Sequence, residues 1–263
     1  MSKQYSAAKG ALAPASKAMP AQPKILMVGN DIGLQAVLTV MLGRDLLVET
    51  ANSGSEGFDR LGVFLPKLVI VDAQLPDHDG AHFVRALRAR SPTCPVLVIR
   101  GSDGGEALKE LMSLRIDGFF VKPPEFDALV NRIYRLTGTI PSYDQVRFSR
   151  CVSRMIEHTK EHYSTNGRLS GLAETIGLSV SHLAYVFRRE IGMKPKEFTS
   201  RVRMEAAKHL LVTTDDKLET IAQHTGFCDA CHFCRVFRKY AGCSPGFYRS
   251  RPARSARETR TDD

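Results

Sequence analysis

Two sets of side chains in this 263-residue chain have the types and spacings that chemistry needs. In the first, charged residues follow short apolar runs. Asp31 comes soon after Lys24–Val28, Asp72 directly after Leu68–Val71, Arg100 after Val96–Ile99 and Lys122 after Phe119–Val121. Buried parallel strands gather their reactive groups at their carboxyl ends, so these four side chains are expected to meet at one edge of a sheet. In the second set, hydrogen-bonding and cationic residues recur fifty positions apart: Ser181, Tyr185 and Arg188, then Cys231, Arg235 and Arg238. A guanidinium donates two parallel bonds to guanine O6 and N7, or grips a phosphate, so this set suits a nucleic-acid duplex. Arg235 occupies the middle of its face and is the main candidate for reading a base. Ser181 and Tyr185 are weaker hydrogen-bonding candidates, Ala184 offers at most a methyl contact, and Arg188 and Arg238 lie where phosphates are gripped.

The elements that must hold the second set are written as an internal repeat. Ser181-His182-Leu183-Ala184-Tyr185-Val186-Phe187-Arg188-Arg189 matches Cys231-His232-Phe233-Cys234-Arg235-Val236-Phe237-Arg238-Lys239 at an offset of 50. Gly192-x-x-Pro195-x-x-Phe198 matches Gly242-x-x-Pro245-x-x-Tyr248 in the same register, and Leu172-Ala173 with Gly177 matches Ile221-Ala222 with Gly226 one residue tighter. Each copy reads as helix, tight turn, helix. The turn falls at a glycine, the residue that takes a left-handed backbone without a Cβ clash. Ser179 or Asp229 then opens the next helix as a cap. Within that helix Leu183, Val186, Phe187 and Ile191 share one side at 3.6-residue spacing, as do Phe233, Val236 and Phe237 in the later copy. The polar set takes the opposite side. Between the copies, Lys196 to Leu211 carries Phe198, Val202, Ala206 and Leu210 at helical spacing and predicts one stiff rod.

The first set belongs to a different architecture. Apolar runs at 24–28, 68–71, 96–99 and 119–121 alternate with helical stretches, the pattern of a doubly wound parallel sheet. Charge separates the halves: residues 1–140 hold 16 Lys/Arg against 14 Asp/Glu, residues 141–263 hold 21 against 14. The basic half suits a polyanion, since cations that displace condensed counterions gain free energy there. The chain lacks a secretory-type apolar segment, so its six cysteines are expected as reduced thiols and its location as cytoplasmic, with no membrane partner.

Residues 150–250 resemble the AraC/XylS-type DNA-binding domain, most densely in Gly226-Phe227-x5-Phe233-x-Arg235-x-Phe237-x3-Tyr240-x-Gly242-x-Ser244-Pro245-x2-Tyr248-Arg249. That resemblance implies double-stranded promoter DNA as partner, RNA polymerase as a further one, and most often activation. Leu68-Val69-Ile70-Val71-Asp72-x2-Leu75-Pro76-x2-Asp79-Gly80 with Lys122-Pro123 resembles a response-regulator receiver. The fold class implied is α/β plus all-α: a doubly wound, flavodoxin-like receiver-type domain at 24–136, then a two-helix-turn-helix domain at 151–250. A flexible arm (1–23), a linker (137–150) and a basic tail (251–263) complete the organisation. The tail's Arg251, Arg254, Arg257 and Arg260 are candidates for further phosphate contacts.

The receiver resemblance assigns Asp72 as phosphoacceptor for a partner histidine kinase, Lys122 as its cationic partner and Phe119 as the aromatic that reports the pocket's state. The departures matter more. Gly29 and Asn30 replace the acidic pair that helps hold Mg²⁺, Asp31 stands one position late, and Arg100 replaces the usual hydroxyl residue. With one assured carboxylate the octahedral oxygen shell of Mg²⁺ is poorly supplied. The favoured expectation is a degenerate receiver that dimerises or binds another signal, without a cofactor. A conventional phosphorylated regulator, with Mg²⁺, is the alternative. A third possibility is a thiol or metal sensor built on Cys228-x2-Cys231-x2-Cys234 with His232 and Cys243, although structural zinc takes four ligands, usually from more than one element. His158, His162, His182, His209 and His224 show no partner spacing and read as surface or cap residues. No Gly-x-x-x-x-Gly-Lys loop, Gly-x-Ser-x-Gly elbow or His-Glu-x-x-His pair occurs, so an enzyme is not expected.

Overall fold

The computed structural model describes residues 22–77, 79–101, 110–141, 148–165 and 169–250. The arm up to Ala21, residues 142–147 of the expected linker and the tail from Arg251 lie outside the described residues. Five parallel strands form one sheet in the order β2-β1-β3-β4-β5: β1 (Lys24–Val28), β2 (Leu47–Ala51), β3 (Leu68–Asp72), β4 (Val96–Arg100) and β5 (Gly118–Val121). The sequence pattern gives four of these. β2 escapes it because Glu49 and Thr50 break its apolar run, and as an edge strand it is buried only at Ala51.

Helices α1 (Ile32–Leu42), α2 (Gly54–Phe64), α3 (Gly80–Arg90) and α4 (Phe126–Thr137) connect and cover the strands. Side chains alternate between the two faces, so Ile25 and Met27 enter one core with α1 and α4, while Leu26 and Val28 enter another with α3. Strand order reverses between β1 and β3, which opens the crevice at their carboxyl ends.

The helical half contains α5 (Arg150–His162), α6 (Leu169–Thr175), α7 (Val180–Ile191), α8 (Pro195–Thr213), α9 (Leu218–His224), α10 (Ala230–Ala241) and α11 (Pro245–Ser250). Helix α8 extends beyond the predicted rod at both ends: Pro195 suits a first helical turn because its missing N–H is unpaired there anyway. Gly177 and Gly226 take positive φ angles of 69° and 78°, as the turns require. Ser179 and Asp229 accept bonds from the amides of His182 and His232, capping α7 and α10 alike.

The two halves share one apolar core. Nine of the eleven residues of α1 are buried, and only part of that burial comes from the sheet. Its other side packs on α8 and α5, so one continuous core runs from Ile25 and Ile70 through Leu34 and Val37 to Ile156, Phe187, Phe198 and Val202. A helix that is apolar all round is one with neighbours all round. The α8 rod also serves a second core, placing Met204, Ala207 and Leu211 against Ile221, Phe233 and Phe237.

Candidate nucleic-acid interface and receiver pocket

In α7 the apolar stripe Leu183, Val186, Phe187 and Ile191 is buried, which turns Ser181, Tyr185 and Arg188 outward. In α10 Phe233 and Phe237 are fully buried and Val236 half-buried, so Cys231, Arg235 and Arg238 stand exposed. All six residues expected on the outer faces are therefore open to solvent, with the sheet domain docked. Arg235 and Arg238 also line a shallow recess with Lys239, Cys234 and Ser244. Lys239 and Ser244 enter this basic surface without having been singled out, although Lys239 aligns with Arg189 in the repeat.

Other cations of the basic half have inward roles. The Arg203 guanidinium donates to the carbonyls of Tyr163 and Thr165 and lies over the Phe227 ring. Arg249 donates to the Asp216 carbonyl. Charge alone thus overstates the surface available to a polyanion. A brace fixes α10 to the rod: the Tyr240 hydroxyl donates to Glu205 at 2.8 Å, and Lys208 both pairs with Glu205 and sits over the Tyr240 ring. Burial, then the Glu205 carboxylate, push the Tyr240 phenol far above its ordinary range.

At the sheet edge, Asp72 and Lys122 meet. The Lys122 Nζ donates to Asp72 Oδ2 at 2.5 Å, and the Gln74 amide donates to Oδ1 at 3.1 Å. Asp31 is brought in too, but in another role: its Oδ1 caps α1 through the Leu34 amide, and its Oδ2 lies 3.7 Å from Lys122 Nζ. Arg100 and Phe119 are brought together, the guanidinium 5.2 Å above the ring. A side chain on Gly29 would begin 3.0 Å from Asp72 Cβ, so the Asp72 side chain itself crowds the place where another carboxylate would start.

This donor set does not fit a resident Mg²⁺. Both Asp72 oxygens are engaged, one of them by an ammonium that also faces Asp31, and one Asp31 oxygen is committed to the helix cap. The octahedral oxygen shell of Mg²⁺ draws on carboxylates, and here the lysine ammonium already stands against both of them. The cysteines do not form a centre either. Cys228 and Cys231 are exposed, Cys234 and Cys243 half-buried, and no group of three or more His, Cys, Asp or Glu among the described residues is arranged to hold a metal ion.

His209 corrects its reading as a surface or cap residue. From α8 its Nε2 shares a hydrogen bond with Asn52 Oδ1, just beyond β2, while its Nδ1 is buried without a partner. Burial holds its pKa below the ordinary value, against the pull of Glu56 and with the push of Arg60. No sequence spacing announces a contact between residues 157 positions apart.

Comparison with known proteins places both halves. A response regulator receiver domain model matches residues 25–134, and a helix-turn-helix domain model matches residues 172–251. The raffinose operon transcriptional regulatory protein RafR of Pediococcus pentosaceus is 31% identical over 94 residues, covering 36% of this chain and 34% of that protein. An uncharacterized response regulatory protein of Staphylococcus epidermidis is 24% identical over 221 residues, covering 76% and 86%. The solved C-terminal domain of AraT, a response regulator from Geobacillus stearothermophilus, is 27% identical, covers 44% of this chain and 97% of its own, and superposes with a TM-score of 0.39. The chain spans only about a third of RafR, and most of the Staphylococcus protein. No helix among the described residues is long and apolar enough to cross a membrane. The chain therefore carries a response regulator receiver domain followed by a helix-turn-helix domain.

Proposed function

We propose that this chain regulates transcription in the cytoplasm by laying α7 and α10 into successive major grooves of double-stranded promoter DNA, acting by binding rather than catalysis. The observation that carries the reading is the pair of homologous helices with exposed polar faces, held by one rod. At 1.5 Å per residue the 19-residue α8 is about 28 Å long, close to the roughly 34 Å that separates successive major grooves on one side of a duplex. Arg235 reads base edges, Ser181, Tyr185 and Cys231 contribute polar contacts, and Arg188 and Arg238 anchor phosphates. RNA polymerase is the partner through which bound protein acts, and a second copy paired through the receiver gives the regulator its dimer.

Selection from a random duplex library with purified full-length protein tests this. Enrichment of sequences with two short elements about one helical turn apart is expected. Recovery of unenriched random sequence at moderate salt would end the proposal.

In the favoured form the receiver acts without metal-dependent phosphotransfer, since Lys122 and a backbone amide already satisfy Asp72. A second form rests on the same pair: Asp72 and Lys122 stand where a phosphoryl group from a histidine kinase would be received. A small-molecule phosphoryl donor with Mg²⁺ separates them. Stable label on the wild type and none on Asp72→Asn establishes the second form, and no label on either supports the first.

A further inference from the structure

The joint between the two halves carries more than connection. Helix α1 belongs to the sheet domain by sequence and to the core of the DNA-binding half by packing. At Gly33 it meets α5 backbone to backbone: a Cβ there would stand 2.7 Å from the Lys160 carbonyl oxygen, so only glycine allows the approach. Past the end of α1, the Arg44 guanidinium lies 2.9 Å from where a side chain on Gly192 would begin, and Gly192 ends the first DNA-facing helix, α7. Asn52, beyond β2, bonds His209 on the rod. The sheet domain thus touches α5, the end of α7 and α8.

It covers none of the six outward residues of α7 and α10. A domain that grips the rod and one recognition helix while leaving both recognition faces open is not placed to block a duplex. It is placed to fix how the two units are presented. Two linked units gain affinity only when both engage at once, so alignment is worth more than either contact.

We propose that the receiver domain is a brace for the DNA-binding half: docking of α1 on α5 and α8 holds the two helix-turn-helix units in the alignment that a duplex requires. The pocket has a direct hold on this joint. Asp31 faces Lys122 with one oxygen and caps α1 with the other, and its charge reaches Tyr163, at the end of α5. Any anion that draws Lys122 from Asp31 acts on the same helix that grips the rod. Binding at the pocket and binding of DNA are then linked, each changing the other by the same factor.

This inference rests on the DNA-binding reading, and the test separates the two. A fluorescent duplex is first selected with the wild-type chain, and its affinity for full-length Gly33→Leu is then measured by anisotropy. Gly33→Leu drives a wedge between α1 and α5 and alters no outward residue. At least tenfold weaker binding is expected, with unchanged far-ultraviolet circular dichroism. Equal or tighter binding by the folded variant overturns the brace, tighter binding revealing a restraint on DNA binding instead. If Gly33→Leu does not fold, Asn52→Ala decides, since it deletes the bond to His209 without adding bulk: weaker binding supports the brace and unchanged or tighter binding overturns it. A wild type that selects no duplex refutes the DNA-binding reading itself. A wild type that selects one, with an indifferent wedge, refutes the brace alone.

Discussion

Arg235 is exposed at the middle of the outward face of α10, beside Arg238 and Lys239, where a guanidinium can approach a base edge. Arg235→Ala is expected to weaken binding to the selected duplex by about 1–3 kcal/mol and to relax preference at one base position. Competition titrations against the selected and a scrambled duplex check this, because a mere phosphate contact lowers both equally. His209 makes a second prediction at this scale. Burial depresses its pKa in the docked chain, so the undocked arrangement binds the proton more readily. Its bond to Asn52 therefore contributes fully above the ordinary imidazole value of 6.5 and is lost progressively as pH falls below it. Thermal stability of the wild type should fall on acidification from pH 7 more steeply than that of His209→Gln, which keeps a polar side chain and has no titration. Equal slopes would remove His209 from the joint. Glu56 opposes the depression and Arg60 adds to it, so in the Glu56→Gln chain the loss should begin at the same pH and continue to lower pH, with a larger total.

Capping residues act on whole elements. Asp229→Ala removes the bond to the His232 amide at the start of α10 and should cost about 1 kcal/mol, read as a shift in the denaturant midpoint with an unchanged slope. Ser179→Ala should do the same for α7, and similar losses at the two sites would show that the repeated units are stabilised alike. Element by element, the helical half is the more legible part of the sequence. The offset of 50 fixes α7 and α10, and the glycines and caps mark their ends, because these features depend on neighbours within four residues. β2 is less legible: as an edge strand it keeps Glu49 and Thr50, so its burial is slight and its pattern weak. For the pocket, Asp72 and Lys122 follow from the ends of β3 and β5, but the role of Asp31 depends on its being a cap as well as a neighbour. The apolar surface of Ile32–Leu42, broken only by Gln35 and Thr39, is the signal for docking, and it becomes readable once a second neighbour for α1 is considered.

For the molecule as a whole, the shared core has a thermodynamic outcome. Two domains with private cores would unfold in two steps, whereas a core running from β1 through α1 to α5 and α8 couples them. One calorimetric transition is expected for the full chain, with equal calorimetric and van't Hoff enthalpies; two resolved transitions would show that the halves unfold independently. The rod itself carries a stricter requirement. Its Phe198, Val202 and Ala206 serve one core, and its Met204, Ala207 and Leu211 another. A single residue inserted between Val202 and Met204 would carry every later side chain about 100° around the helix and 1.5 Å along it. On the proposed docking, DNA elements would still be spaced for the old phase while the second reading head pointed away from the groove. On that reading the length of α8 between its two cores is part of the address, and the spacing of the DNA elements and the protein's count of residues have to change together.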